Sequence, residues 1–80
     1  MRLTITKIQK QKSKFGGNFW YVFCKTELGH SAKSCIYEKY GNYKRWQDVL
    51  LLNPGSVIEV SLVKGALIDA DSQIKIIEKA

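Results

Sequence analysis

The nine residues NFWYVFCKT, Asn18 to Thr26, contain no proline, no glycine and a single charge. Aromatic and β-branched side chains dominate them, and such residues fit a pleated sheet better than a helix. Gly16 and Gly17 stand just before them, and the turn-forming ELGH follows. Both ends are therefore punctuated, and the segment is a strand entered through a FGGN hairpin. Side-chain alternation then divides it into two faces. Phe19, Tyr21, Phe23 and Lys25 share one; Trp20, Val22, Cys24 and Thr26 share the other. A lysine rarely points into a small core. The face ending in Lys25 is thus expected outside, with Trp20, Val22 and Cys24 inside. A slip of one residue would exchange the two sets and expose Trp20 instead.

The flanking segments are organised in the same way. RLTITKI alternates, with Leu3 and Ile5 on one side, while Ile8 falls on the other parity. A bulge near Thr6–Lys7 reconciles the two. SAKSCIYEK reads as a third strand, with Lys33, Cys35, Tyr37 and Lys39 opposite Ala32, Ser34, Ile36 and Glu38. In YGNYKRWQDVLLL the apolar residues Tyr43, Trp46, Val49 and Leu50 recur at helical spacing, with Asn42 placed to cap. NPG stops that helix. SVIEVSLVKG and SQIKIIEK supply a fourth and a fifth strand. The expectation is one all-β domain over residues 1–80: three strands, a short helix, then two strands.

Charge is unevenly placed along this order. Residues 1–45 carry ten basic and two acidic side chains, a balance of +8; residues 46–80 carry three and five, a balance of −2. All nine aromatic residues lie between Phe15 and Trp46, inside the basic half. Positive charge and rings thus share one half of the chain, and a basic half suggests a polyanion partner. No run of eighteen apolar residues exists, so no membrane helix is expected. The opening MRLTITKI lacks the pattern of a signal or transit peptide, and a cytoplasmic protein is expected. Cys24 and Cys35 are too few for a disulfide scaffold or a zinc site.

A bulged first strand and a helix between the third and fourth strands are features of the OB-fold, a five-stranded barrel. In size, charge and layout the chain resembles the small OB-fold single-stranded DNA-binding proteins of phages and mobile elements. The segment WQDVLLLNPGSVIEVSLVKG carries most of the likeness: a helix, a Pro-Gly turn and an alternating strand ending in glycine. The resemblance implies non-enzymatic coating and protection of single strands in DNA replication or recombination. The acidic C-terminal tail through which many bacterial relatives recruit partners has no counterpart in IKIIEKA, so that route is not expected.

Pairing the second and third strands by parity gathers Phe19, Tyr21, Phe23 and Tyr37 on one sheet, ringed by Lys25, Lys33 and Lys39. Lys10, Lys12 and Lys14 extend the first hairpin as a basic finger with Phe15 at its root. Bases stack on rings at roughly 1–3 kcal/mol each, and lysines gain from counterion release at phosphates. These eleven residues are the expected nucleic-acid site. The same sheet would take RNA, and no feature of the sequence reads a 2′-hydroxyl. An exposed ring patch would equally serve as a contact with protein, in a homodimer or in an inhibitor barrel such as phages encode. Catalysis has little support. His30 stands in a turn without an acid or nucleophile at useful spacing, and Asp69 and Asp71 fall short of the six or more oxygens calcium takes. No cofactor is expected.

Overall fold

The computed structural model describes residues 1–61 and 63–80. The strands are β1 (Arg2–Lys12), β2 (Asn18–Thr26), β3 (Ser31–Tyr37), β4 (Val57–Val60), β5 (Val63–Lys64), β6 (Leu67–Ile68) and β7 (Ile74–Glu78). One short helix, α1 (Tyr43–Trp46), and a 3₁₀ turn, Val49–Leu51, lie between β3 and β4. The fold is therefore all-β in class. Its single sheet runs in the order β5-β6-β3-β2-β1-β4-β7 and curls into a half-barrel. Among the described residues every pairing is antiparallel except β3 with β6, which is parallel at Lys33 and Leu67.

β1 bends where its parity changes. Ile5 pairs with Cys24 and Lys7 with Phe23, which leaves Thr6 as the extra residue of a bulge. The Thr6 hydroxyl donates to the Phe23 carbonyl at 3.1 Å, so the unpaired residue is tied down by its own side chain. Beyond the bulge β1 continues to Lys12, longer than RLTITKI alone indicates. The tip turns at Gly16 and Gly17, with φ of +89° and +77°, values that disfavour any residue with a Cβ. The result is a β1–β2 arm reaching past the last core residue.

The core lies on the inner side of the sheet. Leu3, Ile5, Val22, Ile36, Ile58 and Val60 are each at most 1% exposed. Burying one such side chain contributes about 1.5–3 kcal/mol. Trp46 joins this core, fully buried, with its indole N–H donating to the Ala70 carbonyl at 2.9 Å. The neighbouring Arg45 guanidinium donates to the Asp71 carbonyl. These two bonds tie the short helix to the segment between β6 and β7.

Several sequence expectations change in detail. The helix is one α turn, Tyr43–Trp46, followed by a 3₁₀ turn, Val49–Leu51, rather than one continuous α-helix. Asn42 does not cap: its backbone is already helical, no side-chain cap bond forms, and its Oδ1 is buried without a partner. β3 stops at Tyr37, two residues early. There Glu38 turns back, and its carboxylate accepts from the Asn18 backbone N–H at 3.0 Å and from Asn18 Nδ2 at 2.9 Å. The fourth expected strand becomes β4 and β5, with Leu62 outside the described residues. The last expected strand is preceded by β6, a short segment that pairs with β3. NPG does form the turn after the helical segment. Gly55 has φ of +96°, and its N–H donates to the Ile5 carbonyl at 2.7 Å, which fastens the turn to β1.

Candidate functional site

The outer face of the half-barrel follows directly from register, since residues paired across strands stand on the same side of a sheet. β2 contributes Phe19, Tyr21, Phe23 and Lys25. Opposite them on β3 stand Tyr37, Cys35, Lys33 and Ser31. Opposite them on β1 stand Gln11, Gln9, Lys7 and Thr4. Leu67 of β6 extends the row of Lys33. The inner residues Val22, Cys24, Ala32, Ser34 and Ile36 are buried, so the face ending in Lys25 does look outward.

On this face the rings form a continuous ladder. Phe23 lies 6.0 Å from Tyr21, Tyr21 meets Phe19 edge-on at 5.4 Å, and Phe19 stacks on Tyr37 at 5.3 Å and 26°. Tyr40, in the turn after β3, continues it edge-on to Tyr37 at 5.6 Å. The four strand rings are half-buried, each supported by its neighbours with the rest open to solvent. Mutual contact holds them in place before anything binds, which lowers the ordering cost of a stacking surface.

Cations surround the ladder. Lys33 Nζ stands 5.8 Å from the Tyr21 centroid, and Lys39 Nζ stands 5.9 Å from both Phe15 and Tyr40. Lys25 is exposed at the end of the β2 row, and Lys7 is exposed directly beside Phe23. Around Phe23 a shallow groove of about 480 Å³ is lined by Thr6, Lys7, Lys25, Lys33 and Leu67. Three lysine side chains thus share one groove with the Phe23 ring. The Tyr37 phenol is pushed up, first by its hydrogen bond to the Cys35 side chain and next by its electrostatic interaction with that group. A phenol is uncharged at neutral pH in any case, and the shift moves its ionisation further from that range.

Of the eleven expected residues, Phe19, Tyr21, Phe23, Lys25, Lys33 and Tyr37 come together on this face. Lys39 adjoins it beyond β3, and Phe15, 86% exposed, sits at the arm tip beneath the Lys39 ammonium. Lys14 is exposed in the same turn. Lys10 and Lys12 do not join. They pair with Trp20 and Asn18, on the opposite face of the arm, because the bulge places them on the parity of Ile8. Three contributors went unread in the sequence: Lys7, Tyr40 and Leu67. Lys7 was findable, since a bulge at Thr6 that turns Ile8 inward turns Lys7 outward. Leu67 was not, because it arrives through a two-residue strand with no alternation of its own.

The remaining candidates behave as turns and packing. The Asp71 N–H donates to Asp69 Oδ1 at 2.9 Å, a local turn bond, and the described residues contain no group of three metal-ligating side chains. His30 is exposed, and its backbone N–H donates to Thr26 Oγ1 across the β2–β3 turn. Cys24 is buried inside and Cys35 half-exposed outside, both as free thiols. Burial pushes the Cys24 thiol up to about 12. No helix among the described residues is long and apolar enough to cross a membrane. Comparisons with protein-family models, with curated proteins and with solved structures each found no match to this chain.

Proposed function

We propose that this protein binds single-stranded nucleic acid without reading its sequence, and coats and protects single-stranded DNA in replication or recombination. The observation that carries the reading is the ladder Phe23–Tyr21–Phe19–Tyr37, half-exposed across two strands and bordered by Lys7, Lys25, Lys33 and Lys39. Every base has a π-face, so a row of rings binds any sequence. Lysines beside the rings neutralise phosphates and release counterions, again without reading bases. A core residue has no use for a lysine at each end of its row, and a catalytic site has no use for a ladder without an acid–base pair.

The layout supports an OB-type barrel. Three antiparallel strands are followed by a short helix, β4 returns to pair with β1, and β3 takes β6 in parallel. Counting β4 with β5 and β6 with β7 as two interrupted strands yields five strands in all. OB-folds bind oligonucleotides on the face of their second and third strands, which here carries the ladder. DNA is preferred to RNA on the overall likeness in size and charge; the rings themselves would accept either.

The test is a titration with oligo-dT at several salt concentrations. Affinity should fall steeply with salt, with a log–log slope of about −0.7 for each phosphate neutralised. Binding to a protein partner through the rings would be nearly insensitive to salt. RNA of matching sequence as competitor decides between the two nucleic acids.

A further inference from the structure

The β1–β2 arm has a second equipped face. Lys10 and Lys12 pair with Trp20 and Asn18 on the side turned away from the ring ladder. Trp20 is half-buried and lies parallel to Tyr43 of α1, with centroids 5.2 Å apart and 6° between planes. The Lys10 ammonium stands 5.9 Å from the indole centroid. Both lysines are exposed. The arm itself carries no acidic side chain between Lys7 and Lys25, and Glu38, which reaches Asn18 from beyond β3, has its carboxylate engaged there. Between the two faces lie Lys14 and the open Phe15 ring, at a tip narrow enough for a chain to pass around.

A ladder on one face accounts for neither lysine. Alternation along β1 gives the arm cations on its inner side and glutamines, Gln9 and Gln11, beside the rings on its outer side. Phosphate-binding charge is therefore placed on the side without the ladder. Resting on the single-strand reading above, we infer that the nucleic acid does not end at the ladder. It passes around the arm tip, and its phosphates continue along Lys10 and Lys12 beside Trp20. Lys10 leaves the indole when a phosphate arrives, so the ring reports occupancy of this second face. Strands long enough to reach it gain two phosphate contacts that short ones do not.

Tryptophan makes the inference measurable, because Trp46 is wholly buried while the ladder contains only tyrosine and phenylalanine. Oligo-dT of increasing length, from about 4 to about 16 residues, is titrated into the protein at about 0.15 M salt. Fluorescence anisotropy of a labelled oligonucleotide reads binding, and tryptophan emission is taken at saturation. The shortest oligonucleotide that saturates the protein should leave the emission nearly unchanged, and longer ones should change it until a plateau. Trp20→Phe, which retains a ring against Tyr43, should abolish the change. In the double variant Lys10→Ala/Lys12→Ala, the longest oligonucleotide should lose about tenfold in affinity, with a salt slope shallower by roughly 1.4. The shortest should stay within twofold. Equal losses at both lengths would overturn the inference by putting these lysines on the ladder's own path. No loss at either length would overturn it by leaving them as solvated surface. Wild-type protein that takes up no oligonucleotide of any length defeats the underlying reading and the inference together. Length-independent binding that still depends on Tyr21 defeats the inference alone.

Discussion

The two faces of β2 differ in one residue of parity and in almost everything else. Inside, Val22 and Cys24 are buried in one core with Leu3, Ile5 and Ile36; outside, Phe19, Tyr21 and Phe23 share their surface with water and lysine. Small aliphatic residues fill the narrow interior, and the large rings are left out of it. Of the nine aromatic residues only Trp46 belongs to the buried core. A curl this tight has no room for a second bulky layer, so a chain rich in rings must place them on the surface. There they cost exposed apolar area, partly offset by ring–ring contact of about 0.5–1.5 kcal/mol per pair. Stability and binding therefore rest on opposite sides of the same strand, and substitutions should separate them.

The sharpest test of that separation uses the cysteines, one on each face. With its thiol pushed up from 9.0 to about 12, Cys24 in the native protein should react roughly a thousandfold more slowly near pH 8 than an unshifted thiol, because the thiolate is the reactive form. Cys35 should be modified first, and a disulfide between the two would break the assignment of faces. The sign of the same shift also matters. The folded chain holds this proton where the unfolded chain releases it, so the contribution of Cys24 is whole below pH 9 and is lost as pH rises towards 12. Urea melts across that range should shift for the wild type more than for Cys24→Ala.

Next in size is Trp46→Ala, which should destabilise the fold by roughly 3–5 kcal/mol, much of the total stability of a domain this small. It should leave the intrinsic affinity of the folded fraction unchanged. Tyr21→Ala and Tyr37→Ala should do the reverse, costing about 1–3 kcal/mol of binding with a small change in melting temperature. If Tyr21→Ala melted as early as Trp46→Ala while the folded fraction bound normally, the outer face would be core and the comparison would fail. Ser34→Ala sharpens the inner side. The Ser34 hydroxyl is buried without a hydrogen-bond partner, and its removal should raise stability by about 1 kcal/mol. The smallest effect concerns the outer rim: Lys7→Ala should flatten the salt slope by roughly 0.7 and leave the melting curve alone.

What was legible in the sequence was legible through period. Alternation located β1, β2 and β3, announced the bulge from the misfit of Ile5 and Ile8, and placed Tyr21 and Tyr37 outside through Lys25 and Lys33. The rings and most of the cations of the candidate site could be named on that basis. Lys10, Lys12 and Lys14 read as one basic finger in the sequence; carrying the bulge through the register adds that Lys10 and Lys12 stand on the face of the arm opposite the ring ladder. The short helix expected between the third and fourth strands is present, as one α turn followed by a 3₁₀ turn. A repeat of three and a repeat of 3.6 are hard to tell apart over ten residues, and only the bonds from Trp46 to Ala70 and from Arg45 to Asp71 settle where that segment sits.

The sequence by itself thus determined the class of the fold, the two faces of each long strand and the concentration of rings and positive charge in one half. These follow from local geometry, in which each side chain's direction depends on its neighbours two residues away. Tertiary structure alone decided the parallel meeting of β3 with β6, the arrival of Leu67 beside Lys33, the return of Glu38 to Asn18 and the stacking of Tyr43 on Trp20. Each of these joins residues well apart in the chain through strands or turns too short to carry a period. Their partners are chosen by which backbone groups and ring faces remain unsatisfied once the sheet has curled.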